Sequence, residues 1–219
     1  IDKANKRTAA VREIPNGSIK PKAALIFVII NCVLFVVTTF LINNLCFYLS
    51  PIALVVVLGY SLTKRFTALC HLVLGVGLAL APIGAYLAVT GSFAWLPLYI
   101  SFAVLFWVAG FDMIYALQDE VFDKKMGLSS IPAKIGRKAT LNLSVLFHII
   151  TAGYLISAAY HANAGLLFWI GTALFISLLV YQHLLVKPND LSKVNIAFFT
   201  TNGIASLIFS IFVILSFYL

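Results

Sequence analysis

The hydrophobic positions of this chain fall into seven long runs that are separated by short polar breaks. The runs cover residues 23–42, 45–61, 68–89, 94–118, 140–160, 164–185 and 196–218. Each run is close to the length of about 20 residues that an α-helix needs to cross a bilayer. The runs lack the ten-residue alternation that is typical of membrane β-strands. The pattern therefore predicts an all-α, polytopic membrane helical bundle with seven transmembrane helices.

The polar breaks alternate between basic segments and segments without Lys or Arg. The breaks without Lys or Arg are 43–44, 90–92 and 161–163. The basic segments are 1–22, 62–67, 119–139 and 186–195, which hold 6, 2, 5 and 2 cations and so account for all 15. Loops rich in Lys and Arg lie on the cytoplasmic side of a membrane. The alternation supports seven crossings and predicts that the four basic segments face the cytoplasm.

Composition excludes a soluble or disordered chain. Hydrophobic residues make up 62% of the sequence and charged residues only 10%, whereas soluble domains are nearer half apolar and a quarter charged. The net charge of +8 is explained by the topological signal and by attraction to anionic lipid headgroups, so no nucleic-acid partner is predicted. The lipid bilayer is the predicted environment, and no obligate protein partner is evident. The three cysteines and four histidines have no metal-ligand spacing and are interpreted as packing or interface residues.

Carboxylates are rare in the chain, and four of the seven acids lie between Asp112 and Asp123. Asp112 lies within the fourth apolar run, where an ionisable group is costly and normally faces a bundle interior or a cavity. Tyr115, Asp119 and Asp123 follow Asp112 at +3, +7 and +11, which places all four on one face if the helix continues. This stripe would lead from the hydrocarbon region to the membrane surface.

Asp119 and Asp123 are one helical turn apart, so their like charges repel. A divalent cation between them would remove that repulsion, and hard carboxylate oxygens favour Mg²⁺. The alternative is that both acids pair with Lys124, Lys125 and the positive N-terminus of a loop helix. Spacing alone leaves both interpretations open.

A second candidate cluster lies at the end of the second apolar run. Tyr60 and Lys64 are four residues apart, and Arg65 follows directly. The two cations could hold diphosphate oxygens. They could equally be topology-setting residues whose charged ends reach the membrane interface.

Three segments of the chain together resemble the UbiA superfamily of intramembrane prenyltransferases. Residues 115–132 resemble its second aspartate motif, YAxxDxxxDxxxGxxSxP, and residues 2–17 are similar to the D-x(4)-RTxxxRPxPxG segment that follows its first aspartate motif. Tyr60, Lys64 and Arg65 match its YxxxKR loop. The resemblance implies one domain over residues 1–219 and a bundle of nine helices. Two helices and most of the first aspartate motif are then expected upstream of Ile1.

The resemblance also implies the roles of the candidate residues. It implies Mg²⁺ held by Asp119, Asp123 and Asp2, and a polyprenyl diphosphate held by Lys64, Arg65, Arg7 and Arg12. Tyr60 and Tyr115 would offer aromatic faces to an allylic carbocation. Asp112 is the candidate for orienting the aromatic acceptor or accepting its ring proton.

The implied reaction transfers the prenyl group to a ring carbon of a hydroxy-aromatic acid during ubiquinone or menaquinone biosynthesis. The acceptor is expected to be 4-hydroxybenzoate or a dihydroxynaphthoate. Glu13 stands where the family usually has Pro, and this resembles an Arg-Glu-x-Pro variant in bacteria that make menaquinone by the futalosine route. Other acceptors of the superfamily (haem, chlorophyllide, homogentisate) stay open. So does a secondary transporter with an intramembrane acid, although the acids gather at one face rather than at the midplane.

Overall fold

A computed structural model describes residues 4–218 of the chain, except for the side chains of Lys6 and Arg7. Its helices are α1 (Lys6–Ala9), α2 (Glu13–Asn16), α3 (Pro21–Ile42), α4 (Asn44–Thr63), α5 (Cys70–Thr90), α6 (Trp95–Ala116), α7 (Glu120–Lys125), α8 (Ile131–His161), α9 (Leu166–Leu185) and α10 (Asn202–Leu215). A 3₁₀ turn at Leu117–Asp119 joins α6 to α7, and a π-helix at Ile196–Thr201 leads into α10.

The described residues contain seven helical segments that are long and apolar enough to cross a membrane. Five of them are α3, α4, α5, α8 and α9. The sixth, Trp95–Lys125, runs from α6 through the 3₁₀ turn to the end of α7, and the seventh is Ile196–Leu215. The predicted all-α bundle with seven spans is therefore confirmed.

The chain divides into two compact units, residues 1–54 and 55–219. In the first unit, α3 begins with Pro21 in its first turn, where the missing N–H of proline costs nothing. Asn43 is extended and ends α3, and its side-chain oxygen accepts a hydrogen bond of 2.8 Å from the backbone N–H of Cys46. This contact satisfies a free N–H at the start of α4 and separates the two helices sharply.

In the second unit, α6 forms the centre of the packing and lies against both α5 and α8. Its residues Val108, Met113 and Ile114 are fully buried. Glycines permit the close approach of the neighbouring helices. A Cβ atom at Gly75 of α5 would lie 2.4 Å from the backbone oxygen of Leu105, and one at Gly110 would lie 2.4 Å from the ring of His148. Such small-residue contacts are typical of packed membrane helices.

The largest departure from the predicted spans is at α8, which begins nine residues before the apolar run 140–160. Its first two turns contain Lys134, Arg137 and Lys138, whose charges conceal the helix from a hydropathy pattern. Gly136 has φ of 76° and ψ of 172°, so the backbone bends there before the apolar part of the helix begins. Positive φ is readily adopted only by glycine.

Candidate active site

The segment between α7 and α8 brings several polar side chains together. Gly127 adopts φ of 65° after the end of α7, its N–H donates to the oxygen of Lys124, and the N–H of Leu128 donates to the oxygen of Asp123 at 2.9 Å. This is a Schellman arrangement, which requires the left-handed conformation that glycine favours. Ser130 then caps α8, where its Oγ accepts from the N–H of Ala133 at 3.4 Å. Gly127 and Ser130 therefore determine the backbone conformation of this segment, the first by ending α7 and the second by capping α8.

Asp123 is the most enclosed acid of this region, with a side chain that is 0% exposed. Its Oδ2 lies 2.8 Å from the Nζ of Lys64 and accepts a hydrogen bond of 2.6 Å from the Oγ of Ser130. The backbone oxygen of Lys64 accepts from the N–H of Ser129 at 2.8 Å, which fixes the lysine against the same segment. We call Lys64, Asp123 and Ser130 the Asp123 junction.

The second oxygen of Asp123 distinguishes the junction from an ordinary ion pair. Within the described part of the chain, Oδ1 is buried and has no hydrogen-bond partner. A buried acceptor without a partner is costly, on the order of 1–3 kcal/mol. A hard carboxylate oxygen in this state fits a divalent cation such as Mg²⁺. Residues 4–218 hold no group of three or more His, Cys, Asp or Glu side chains that could bind a metal by themselves.

Asp112 has a different partner, which sequence reasoning missed. Its Oδ2 lies 2.6 Å from the Nδ1 of His71, which is in the first turn of α5. The Nε2 of His71 accepts from the backbone N–H of Ile131 at 3.4 Å. His71 is almost completely buried, whereas the side chain of Asp112 is 21% exposed. The one sequence signal for His71 is its position just after the basic segment that contains Lys64, at the start of an apolar run.

Glu120 contacts two cations, Lys124 within α7 and Arg137 of α8, and the second contact connects the two helices. One carboxylate oxygen lies 2.7 Å from the Nζ of Lys124, and the other lies 2.6 Å from the Nε of Arg137. Arg137 also donates to the backbone oxygen of Pro188 at 3.4 Å. The structure therefore pairs Lys124 with Glu120 and Asp123 with Lys64, so the predicted pairing of Asp123 with Lys124 is wrong.

The predicted single stripe of Asp112, Tyr115, Asp119 and Asp123 is also wrong as a continuous helical face. The helix tightens into the 3₁₀ turn at Leu117–Asp119, which changes the angular position of every later side chain. Tyr115 stacks on Phe198 with ring centroids 4.2 Å apart, while Asp112 contacts α5. Asp119 is half-buried at the end of the 3₁₀ turn.

The remaining predicted site residues lie elsewhere. Tyr60 is 39% exposed in the last turn of α4, and Arg65 is exposed in the segment that follows. Arg12 is exposed in the first unit, where its backbone forms the N-cap of α2. Asp2 and the side chain of Arg7 lie outside the described residues. Their predicted roles in metal and diphosphate binding stay predictions.

Comparison with known proteins identifies the relatives of this chain. A profile of the UbiA prenyltransferase family matches residues 1–204. A protein of Aliivibrio fischeri (strain MJ11) named 4-hydroxybenzoate octaprenyltransferase is 32% identical over 214 residues, which cover 95% of this chain and 72% of that protein. A protein of the same name from Nitrosospira multiformis is 29% identical over 168 residues, which cover 77% of this chain and 58% of the relative.

A solved structure is also similar. The apo structure of a UbiA homolog from Aeropyrum pernix K1 matches with a TM-score of 0.88 and 28% sequence identity. The match covers 99% of this chain and 80% of that one. Fold and sequence therefore point to the same relatives.

Proposed function

Because the chain belongs to the UbiA prenyltransferase family, we propose that it transfers a polyprenyl group from a polyprenyl diphosphate to a ring carbon of a hydroxy-aromatic acid. Family membership and seven apolar spans make it an integral, multi-pass membrane protein. The excess of Lys and Arg in alternate segments supports a cytoplasmic position for the Asp123 junction at a bacterial inner membrane.

The observation that carries this proposal is the unpartnered Oδ1 of the buried Asp123 beside the paired Lys64. A carboxylate that is fully enclosed and still has a free acceptor oxygen is suited to a cation. Lys64 is 29% exposed, so its ammonium group can contact a substrate while one side of it contacts Asp123. A diphosphate near this lysine would lose its bond to carbon more readily, because preorganised positive charge stabilises the departing oxygen.

Prenyltransferases of this family are generally dependent on a divalent metal. Asp123, with Asp119 four residues before it, would hold Mg²⁺ through carboxylate oxygens, and Asp2 is the further ligand that the sequence predicts. When bound, Mg²⁺ neutralises charge that develops on the leaving diphosphate. The chain supplies the fixed, buried carboxylate that such an ion requires.

The proposed reaction exchanges one bond for another at the first carbon of the prenyl chain. The bond between this carbon and the diphosphate oxygen breaks, and the diphosphate leaves with the electron pair. The ring carbon of the acceptor then bonds to the allylic cation. Asp112 accepts the proton that this ring carbon loses, which restores aromaticity. Tyr115 and Tyr60 offer π-electrons to the cation before attack.

The printed names of the relatives support 4-hydroxybenzoate as the first acceptor to test. A dihydroxynaphthoate is the second, because Glu13 departs from the usual proline of the family. Both acceptors are activated arenes with a carboxylate, so the same electrophilic substitution applies to each. Ubiquinone biosynthesis consumes the first product, and menaquinone biosynthesis would consume the second.

The proposal is tested with the full-length protein in lipid nanodiscs, supplied with Mg²⁺ and octaprenyl diphosphate. The two acceptors are compared in parallel, and products are identified by mass spectrometry together with the diphosphate released. A C-prenylated acid formed in equal amount to diphosphate supports the proposal and identifies the acceptor. Absence of diphosphate release with both acceptors contradicts it.

A further inference from the structure

The pair formed by His71 and Asp112 joins two helices that are distant in sequence. His71 lies in the first turn of α5 and Asp112 lies in α6, and the hydrogen bond of 2.6 Å between them joins residues 41 positions apart. Among the described residues, His71 is the only hydrogen-bond partner of the Asp112 carboxylate. The ring of His71 is 3% exposed, so water has little access to it.

The contacts of His71 fit the tautomer that carries its proton on Nδ1. A backbone N–H can only donate, so the Nε2 that receives the N–H of Ile131 must carry a lone pair. A neutral imidazole with an unprotonated Nε2 has its proton on Nδ1. Nδ1 therefore donates to Oδ2 of Asp112, and this hydrogen bond determines which carboxylate oxygen remains available.

The hydrogen bonds of His71 also connect it to the segment that forms the Asp123 junction. Ile131 directly follows Ser130, whose Oγ donates to Asp123. The Sγ of Cys70, next to His71, lies 3.8 Å from the backbone oxygen of Ser129. The same three-residue segment thus contacts both carboxylates, Asp112 through His71 and Asp123 through Ser130.

We propose that His71 is a positioning residue, which holds the Asp112 carboxylate so that Oδ1 is presented to the aromatic acceptor. This inference rests on the proposed function and extends it to a residue for which the sequence predicted only packing. Because Nδ1 of His71 donates to Oδ2, the carboxylate of Asp112 cannot rotate freely about its bond to the rest of the side chain. A misplacement of about 1 Å in such a group can reduce the rate by about a hundredfold.

Two substitutions separate the two contacts of the imidazole. An asparagine amide reaches the position of Nδ1, so His71→Asn retains a donor to Asp112 and loses the acceptor for Ile131. A glutamine amide reaches the position of Nε2, so His71→Gln retains the contact with Ile131 and loses the donor to Asp112. The exposed His161 at the far end of α8 supplies the matched control, His161→Gln.

We expect His71→Gln to reduce kcat/KM for the aromatic acceptor by about 30- to 100-fold, with KM for octaprenyl diphosphate within about twofold of wild type. His71→Asn is expected to stay within about threefold of wild type, because the bond to Asp112 persists. His161→Gln should equal wild type. The opposite order, with glutamine active and asparagine inactive, would overturn the proposal and assign His71 to the contact with Ile131. Equal losses or equal activities would also overturn it.

A double-mutant cycle with Asp112→Asn provides the second measurement. If His71 acts through Asp112, His71→Gln has no further effect when Asp112 is already Asn. A further loss of the same size as in the wild-type background would contradict the proposal.

Nitrogen-15 NMR of His71 tests the hydrogen bond between His71 and Asp112 without reference to activity. A protonated Nδ1 and an unprotonated Nε2 are expected, and the reverse pattern would overturn the inference. Absence of prenylated product from the wild-type protein would instead count against the proposed function.

Discussion

The Lys64–Asp123 pair of the Asp123 junction and the pair of His148 and His183 between α8 and α9 are both polar contacts of 2.8 Å, yet they differ in which polar atoms lack a partner. The Nδ1 of His148 meets the Nε2 of His183, and the Nε2 of His148 lies 3.3 Å from the backbone oxygen of Trp107. Both ring nitrogens of His148 therefore have partners. Asp123, in contrast, carries a formal charge and keeps one oxygen without a partner in the described residues.

This difference distinguishes a polar contact that only holds helices together from one that can bind a ligand. A ring whose two nitrogens both have partners, like that of His148, fixes the register of its helices and has no remaining capacity for a ligand. A buried charge with a spare acceptor oxygen is unfavourable unless something else binds to it. On this ground we propose the junction as the site and the histidine pair as part of the scaffold, and the following substitutions test that division.

The largest effect is expected for Asp123→Asn. Asparagine keeps the size of the side chain and the oxygen that Ser130 contacts, but it removes the charge. Lys64 is 29% exposed and can stay hydrated, so membrane insertion and folding should persist. We expect a loss of prenyl transfer of about a thousandfold, which corresponds to ~4 kcal/mol of transition-state stabilisation. Initial rates at saturating Mg²⁺ measure it.

Asp190→Asn is the control for Asp123→Asn, since Asp190 is an exposed acid whose carboxylate contacts Ser192. It should retain wild-type activity. An Asp123→Asn protein that keeps more than about a tenth of wild-type activity, a difference of only ~1.4 kcal/mol, would remove Asp123 from the metal site.

Lys64→Met should have the next largest effect, because it alters both stability and activity. It leaves the fully buried Asp123 carboxylate without its cation, and breaking a buried pair in this way costs about 3–5 kcal/mol. We expect a lower thermal midpoint and, in the folded fraction, a rate that is reduced by about a hundredfold. The exposed Lys125 gives the matched control, Lys125→Met.

The double variant with Lys64→Met and Asp123→Asn separates these two contributions. It should recover stability, because no buried charge remains, but not activity. Recovery of activity would show that Lys64 serves only to neutralise Asp123.

Lys64→Arg should have a smaller effect than Lys64→Met. We expect an increase of about tenfold in KM for the diphosphate and little change in KM for the acceptor, because a planar guanidinium does not replace a compact ammonium.

Gly110→Ala should have the smallest effect on catalysis. The new Cβ would lie 2.4 Å from the Nε2 of His148, which is itself held by His183. Overpacking of this kind costs about 1–3 kcal/mol. We expect a lower thermal midpoint, with kcat of the folded protein unchanged. A loss of kcat without loss of stability would place the histidine pair in the active site and contradict the division.

The control for Gly110→Ala is Gly153→Ala, since the site of Gly153 has no atom within 4 Å of the added Cβ. Alanine favours the helix there by up to about 1 kcal/mol. The double variant of Gly110→Ala with His148→Ala lacks the opposing ring, so it should relieve the clash that Gly110→Ala introduces.

The sequence predicted the spans and much of the junction, because long apolar runs and local motifs depend on neighbouring residues. Lys64 and Asp123 were predicted as site residues because they lie in motif segments, whereas Ser130 lies in the same motif as Asp123 and was given no role. The pairing of His71 with Asp112 was not, because periodicity indicates which face of a helix is apolar and not which side chains meet across helices. The same holds for the 3₁₀ turn before Asp119, which divided a stripe that regular helical spacing had joined. The early start of α8 was hidden by the charges of its first turns.

The most direct test of the central claim is metal binding at Asp123. Electron paramagnetic resonance of Mn²⁺, titrated into the full-length protein in nanodiscs with octaprenyl diphosphate present, measures it independently of turnover. The account predicts saturable binding of Mn²⁺ by the wild-type protein, competition by Mg²⁺, and an affinity that falls by at least about tenfold in Asp123→Asn. Equal affinity in the two proteins would contradict the assignment of Asp123 as a metal ligand.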